Sequence, residues 1–228
     1  MRTEKDNSED TLKIIGYIRT DFPEKFGIPR QAGLVKDIEG YIELLPPYND
    51  MKALEGIEDY NYLWILWKFE VDKREELRVR PPVLGGNTYK GVFATRSPFR
   101  PNHIAMSSVK FKEVKEIPGK GPVIVVTGID MRDNTPVYDI KPYLKYADSH
   151  EDANNGFSPG TAKRIKVEDE KGLLETFGES GSNVREILSL DPRPAFHNDP
   201  DRLYGLTYKD KNITFSVSLD TLFVHSVE

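Results

Sequence analysis

The sequence predicts a mostly β protein in two parts, a β-rich first two-thirds at 1–150 and a small α+β unit at 151–228. Three observations predict it. The apolar runs of the first part are short, rich in Val, Ile, Tyr, Phe and Trp, and punctuated by Gly and Pro. They do not alternate with helical patterns as the strands of a doubly wound sheet do. The polar stretch 149–160, SHEDANNGFSPG, then reads as a linker, with helical signals beyond it.

The elements follow in order. Residues 12–19, LKIIGYIR, read as a β-branched strand in which Gly16 marks a close approach. The loop FPEKFGIPRQAG is set by Pro23, Gly27, Pro29 and Gly33. A strand at 40–45 is closed by Pro46 and Pro47, and Asn49 is placed to cap a short helix through Leu54. The most hydrophobic run, YLWILWKFEV at 62–71, predicts a buried central strand with both tryptophans in the core. Strands at 106–117 and 123–129 flank the turn PGKG, and prolines keep PVYDIKPY at 136–143 extended. Beyond the linker we expect a strand at 164–167, helices at 170–177 and 184–190, and a hairpin turning at Asp210, Lys211 and Asn212. Asn183, with Glu186 three residues on, is an N-cap signal for the second helix.

Composition excludes several chemistries. The chain has 228 residues and no cysteine, which removes disulfides, thiolate catalysis and Cys-ligated metal centres. His103, His150, His197 and His225 are scattered without metal-ligand spacing, so no metal is expected. There is no G-x-G-x-x-G opening a helix, no P-loop, no H-E-x-x-H and no G-x-S-x-G. No apolar run nears the roughly 20 residues of a membrane span. The start, MRTEKDNSED, lacks the apolar stretch of a secretory signal, and a cytosolic protein is expected.

Charge points to a site. The stretch 78–106 holds Arg78, Arg80, Lys90, Arg96 and Arg100 and no carboxylate, in a chain of net charge −5, so the remaining residues carry −10. Guanidinium forks and backbone N–H groups among Gly and Pro suit a phosphate, carboxylate or sugar ligand. Four further clusters are polar beyond the needs of folding: Pro29-Arg30-Gln31; Asp130 to Asp133 at the end of an apolar strand; Asp139, Lys141 and Tyr143, alternating along an extended segment; and Arg193, held outward between Pro192 and Pro194.

Six strings in order, EKFGIPRQAGLV, LWIL, VRPPVLGGN, GVFATRSPFRPN, the D-x-x-D-N-TPVYDIKPY segment and REILSLDPRPAF, closely resemble the TsaA/TrmO family over nearly the whole chain. The resemblance implies a tRNA methyltransferase using S-adenosylmethionine on N6 of threonylcarbamoyladenosine beside the anticodon, chiefly in threonine tRNA. It also implies a single-sheeted β-barrel at 1–150, a smaller C-terminal domain and a homodimer. It assigns the cofactor to Pro29, Arg30, Gln31, Glu70, Val71, Arg96, Ser108, Asp130, Met131, Arg132 and Asp133. Asp139 is our choice of general base, with Lys141 or Tyr143 orienting the modification, and Arg100, Arg185 and Arg193 are assigned to RNA. The family's RPNPIG reads RPNHIA here, with His103 and Ala105, and its DGTP has Asn134 for Gly. Two rivals stay open at this point: a non-catalytic RNA-binding module, and a methyltransferase acting on a small molecule.

Overall fold

A computed structural model describes residues 11–72, 74–194, 197 and 199–228. The polar start at 1–10, and Ala195 and Phe196 of REILSLDPRPAF, lie outside the described residues. The first part contains β1 (Gly16–Thr20), β2 (Glu39–Leu44), β3 (Tyr62–Lys68), the two-residue β4 (Arg78–Val79) and β5 (Lys90–Gly91), β6 (Ile104–Ile117), β7 (Gly121–Thr127) and β8 (Thr135–Pro142). A single helical turn, α1 (Lys145–Asp148), precedes the linker. Beyond it come β9 (Lys166–Glu168), helix α2 (Gly181–Ser189), β10 (Tyr204–Tyr208), β11 (Lys211–Ser218) and β12 (Thr221–Val227).

Six of these strands form one sheet in the order β1-β2-β7-β6-β3-β8, and because β8 also pairs with β1 the sheet closes on itself. Period-two alternation decides what it encloses. Gly40, Ile42 and Leu44 of β2, Leu63, Ile65 and Trp67 of β3, and Ala105, Ser107 and Val109 of β6 all point inward. A Cβ at Gly16 would sit 2.5 Å from the Glu43 carbonyl oxygen, so this glycine does allow β1 and β2 to approach.

Several boundaries differ from the sequence expectation. The first strand starts at Gly16 and the central one ends at Lys68, one residue before the Phe69 N–H donates to the His103 carbonyl (2.8 Å). Trp67 is core, but Trp64 points outward and donates its Nε1 to Asp148 (2.8 Å). Asp50, not Asn49, caps the turn Met51–Ala53 by accepting from the Lys52 N–H (2.9 Å), while Asn49 reaches the Lys120 carbonyl.

The last part is a four-stranded sheet, β10-β11-β12-β9, covered by α2 and a 3-10 segment, Leu173–Ser180. An α-helix fails over that segment because Gly172 enters it left-handed and Gly178 breaks it. Helix α2 begins at Gly181, which puts Asn183 inside the helix. Its amide donates to the Asp37 carbonyl instead of capping. The hairpin turns at Lys209 and Asp210, and a second, unforeseen hairpin joins β11 to β12.

One hydrophobic cluster runs through both parts. Phe22 meets Tyr208 edge-on at 5.3 Å, Phe26 stacks on Phe215, and Leu206 packs against Gly27. No described helix is long and apolar enough to cross a membrane.

Candidate active site

The loop between β1 and β2 carries Pro29, Arg30 and Gln31, and it is stitched down from two sides. The Gly33 N–H donates to the Gly128 carbonyl (2.8 Å) and the Asp133 N–H to the Phe22 carbonyl (2.8 Å), tying it to the β7–β8 connection. From the last part, Arg164 donates to the Leu34 carbonyl (2.6 Å), and Arg30 donates to the Arg193 carbonyl (3.2 Å). Pro29 is buried, which leaves Arg30 and Gln31 exposed beside it.

This stitching sets the loop over Asp130. Trp67 Nε1 donates to Ser107 Oγ (2.9 Å), and Ser107 Oγ donates to Asp130 Oδ1 (2.6 Å). The Ala32 N–H also donates to the carboxylate. Burial pushes the Asp130 carboxyl above its usual range, while the hydrogen bonds from Ser107 and Ala32 and the charge of Arg96 act against that rise. Arg96 in turn donates to the Gln31 side-chain oxygen. A second group stands alongside: Arg132 pairs with Glu70, and Lys25 donates to the Glu70 carbonyl. The Arg132 Nε is buried without an acceptor among the described residues.

Of the predicted cofactor residues, Gln31, Arg96 and Asp130 therefore meet, with Arg30 beside them and Glu70 against Arg132. Val71 follows Glu70, half-buried. Met131 is buried in the core, and Asp133 accepts from the Thr20 N–H (3.0 Å), bracing the turn. Ser108 lies apart, opposite Trp64 on the outer face of the sheet. Its neighbour Ser107 takes the inward place. Strand alternation held the signal: with Ala105 and Val109 inward, Ser107 is the hydroxyl facing the interior.

Asp139 and Lys141 also face outward, opposite Leu66 and Trp64, with Lys141 Nζ 2.9 Å from Asp139 Oδ2. Tyr143 packs on Tyr62 and Trp64. Asp139 borders a depression of about 300 Å³ with Ile15, Tyr48, Leu54 and Ile140, which does not reach Asp130. One chain thus keeps these three residues apart from the Asp130 cluster.

The arginines assigned to RNA are all engaged within the fold. Arg100 donates to the Thr95 and Ser97 carbonyls, and Arg185 to the Val167 carbonyl. Arg193 corrects the expectation that flanking prolines hold it outward. Its Nε and Nη2 clasp both Asp191 oxygens at 2.8 Å, and its side chain is only 12% exposed.

The departures from the family pattern also have a structure. Asn134 adopts φ 63°, so it fills the left-handed place of the glycine, and Arg19 donates to its side chain (2.7 Å). His103 sits at φ 49°, which a proline ring forbids, so this turn cannot be built as RPNPIG would build it. Its Nδ1 lies 2.8 Å from the Pro98 carbonyl. Ala105 is buried in β6.

Comparison with known proteins shows the family. The family model described as the tRNA-methyltransferase O N-terminal domain matches residues 17–149, and the TrmO C-terminal domain matches 165–228. A tRNA (adenine(37)-N6)-methyltransferase of Escherichia coli (strain K12) is 42% identical over 217 residues, covering 90% of this chain and 92% of the relative. A Pseudomonas aeruginosa protein with the provisional name S-adenosylmethionine-dependent methyltransferase RcsF is 41% identical, over 89% of this chain and 90% of its own. The crystal structure of TrmO from Pseudomonas aeruginosa superposes with a TM-score of 0.77 at 34% identity, covering 96% of this chain and 98% of that one.

Proposed function

The chain belongs to the tRNA-methyltransferase O family, and from that membership we propose that it methylates N6 of threonylcarbamoyladenosine beside the anticodon, chiefly in threonine tRNA, using S-adenosylmethionine. The observation that carries the reading is the meeting of Gln31, Arg96 and Asp130 around the Trp67–Ser107 relay. The donor set fits the cofactor. Asp130 offers a half-buried carboxylate to a cation or ribose hydroxyl, Arg30 and Arg96 offer forks to a carboxylate, and the orphan Arg132 Nε lacks the acceptor that a ligand can supply. When bound, the cofactor supplies a methyl group already activated on a sulfonium.

What this chain adds is positioning and a place for a proton. N6 of the modified base belongs to a urea, so its lone pair is delocalised and its proton must leave as the bond to carbon forms. We assign the acceptor role to Asp139, held by Lys141, with Tyr143 and Lys141 orienting the modification. A homodimer joins the two clusters, since the outer face of one copy can meet the loop of the other. Exposed Tyr62 and Met106 on that face support this. We read the closed sheet as the barrel domain at 1–150 and the remainder, 151–228, as a smaller domain reaching tRNA, with the reaction in the cytoplasm. An unpaired anticodon loop lets the target base be splayed at low unstacking cost.

Nucleoside mass spectrometry of threonylcarbamoyl-modified tRNA, incubated with the protein in chelator, decides the matter. The methylated nucleoside should appear only with S-adenosylmethionine. tRNA binding without cofactor binding would favour the RNA-binding module, and cofactor binding with no tRNA dependence the small-molecule enzyme. Arg96→Ala should weaken cofactor binding by about 1–3 kcal/mol, the range for a charge-assisted hydrogen bond. Calorimetry on the folded variant checks this; unchanged affinity would leave Arg96 a brace for Gln31.

A further inference from the structure

Of the five cations between 78 and 106, two are taken up within the fold, Arg96 by Gln31 and Arg100 by the Thr95 and Ser97 carbonyls. Arg78, Arg80 and Lys90 lie against aromatic rings, Lys90 Nζ 5.8 Å from the Phe157 ring centroid, and among the described residues none of the three has a carboxylate within ion-pair distance. They stand on the β4–β5 ribbon, whose ladder pairs Arg78 with Gly91 and Val79 with Lys90. Tyr89 comes next, opposite Arg80. The Arg78 and Arg80 guanidinium carbons lie 4.8 and 4.5 Å from the Tyr89 ring centroid, and Arg80 also donates to the Tyr89 hydroxyl. Two guanidiniums on one ring are less than about 10 Å apart, within the screening length at 0.1 M salt, so they repel each other. The ring face holds them in place. A phosphate would relieve the repulsion.

The ribbon is anchored at its base. The Val92 N–H donates to the Leu77 carbonyl (3.0 Å), the Val92 side chain is buried, and the Glu76 N–H donates to the Phe99 carbonyl (3.0 Å). From β5 the chain passes through the turn Val92–Ala94 directly to Arg96, so the cations lead to the loop cluster.

We propose that the β4–β5 ribbon, through Arg78, Arg80 and Lys90, is a docking surface for an RNA phosphate backbone beside the cofactor loop. This rests on the tRNA-methyltransferase reading above. Exposed Leu77, Val83 and Phe93 flank the ribbon and raise the alternative of a second copy. Charge argues against it. A two-fold contact centred here would set unneutralised cations against their own copies, and the stretch 78–106 has no acidic residue to match them.

The test compares the parent chain with Arg78→Ala/Arg80→Ala, titrated with tRNA at several salt concentrations. Losing two phosphate contacts should flatten the slope of log K against log salt by about 1.5–2 and weaken tRNA binding about tenfold near physiological salt. S-adenosylmethionine affinity should not change, and Arg78→Lys/Arg80→Lys should keep most of the parent slope. Equal slopes and affinities in parent and alanine variant, with the parent binding tRNA, would overturn the ribbon and leave the enzyme reading intact. A parent that binds cofactor but no tRNA would overturn both. A fall in sedimentation coefficient of the variant without loss of tRNA slope would make the ribbon a protein interface and overturn the proposal.

Discussion

Asp130→Ala is expected to cost the protein about ten- to a hundredfold in S-adenosylmethionine affinity. The change removes a charge and, in the same step, strands the buried Ser107 hydroxyl and the half-buried Ala32 N–H. Each stranded donor costs about 1–3 kcal/mol of stability, in the free chain and the complex alike, whereas the lost charge-assisted contact of about 1.5–3 kcal/mol is what lowers the affinity. Calorimetry with the cofactor measures the affinity, and denaturant unfolding of the free chain separates it from stability. A variant that binds as tightly as the parent would show that this carboxylate serves only the fold.

The pH dependence gives a second readout of the same residue. Burial raises the Asp130 carboxyl above the 3.8 of the free group, so between those values the folded chain holds more protons than the unfolded one. Stability of the free protein should therefore fall as pH rises through that window. Cofactor affinity should move the opposite way, because the cationic ligand meets a carboxylate only above the raised value. Asp130→Asn, which cannot ionise, should lose both trends. Parent and variant with parallel profiles would assign the titration to another group.

How much of this the sequence disclosed depends on the kind of signal. Strand content was legible, since β-branched runs and Gly or Pro punctuation are local, and β2, β3, β6, β7 and β8 lie close to where the pattern puts them. The left-handed conformation of Asn134 is likewise local, one that Asn tolerates better than most residues. Closure of the sheet was implied only by the family resemblance, because β1 meets β8 across more than a hundred residues and no local pattern encodes that pairing. The site follows the same division. Motif residues such as Gln31, Arg96 and Asp130 could be named, yet only the fold shows that they meet. Ser107 was one position from a named residue, and strand parity chose between them. Arg193 shows the limit of reasoning from backbone stiffness alone, since two prolines fix the chain but Asp191 decides where the guanidinium goes.

The remaining large effect belongs to the seam between the cofactor loop and the last part of the chain. Gly27 has φ 92°, and a Cβ there would lie 2.3 Å from Leu206 Cδ1 and 2.7 Å from its Cγ. Leu206 is fully buried, which leaves its side chain little room to yield. Gly27→Ala should thus cost about 1–2 kcal/mol for the left-handed backbone and about 1–3 kcal/mol more for the overlap. The loop is expected to shift, carrying Arg30 and Gln31 with it, so cofactor affinity should fall as well. Leu206→Ala alone opens a cavity and should cost about 2–5 kcal/mol. Together the two changes should cost less than their sum by about the overlap part, because the new methyl group enters the space the leucine leaves. Cofactor affinity should recover in the double variant relative to Gly27→Ala. Denaturant unfolding and calorimetry on all four chains complete the cycle. Strict additivity in stability, with no recovery of binding, would mean that the last part of the chain merely adjoins the loop and does not hold it in place.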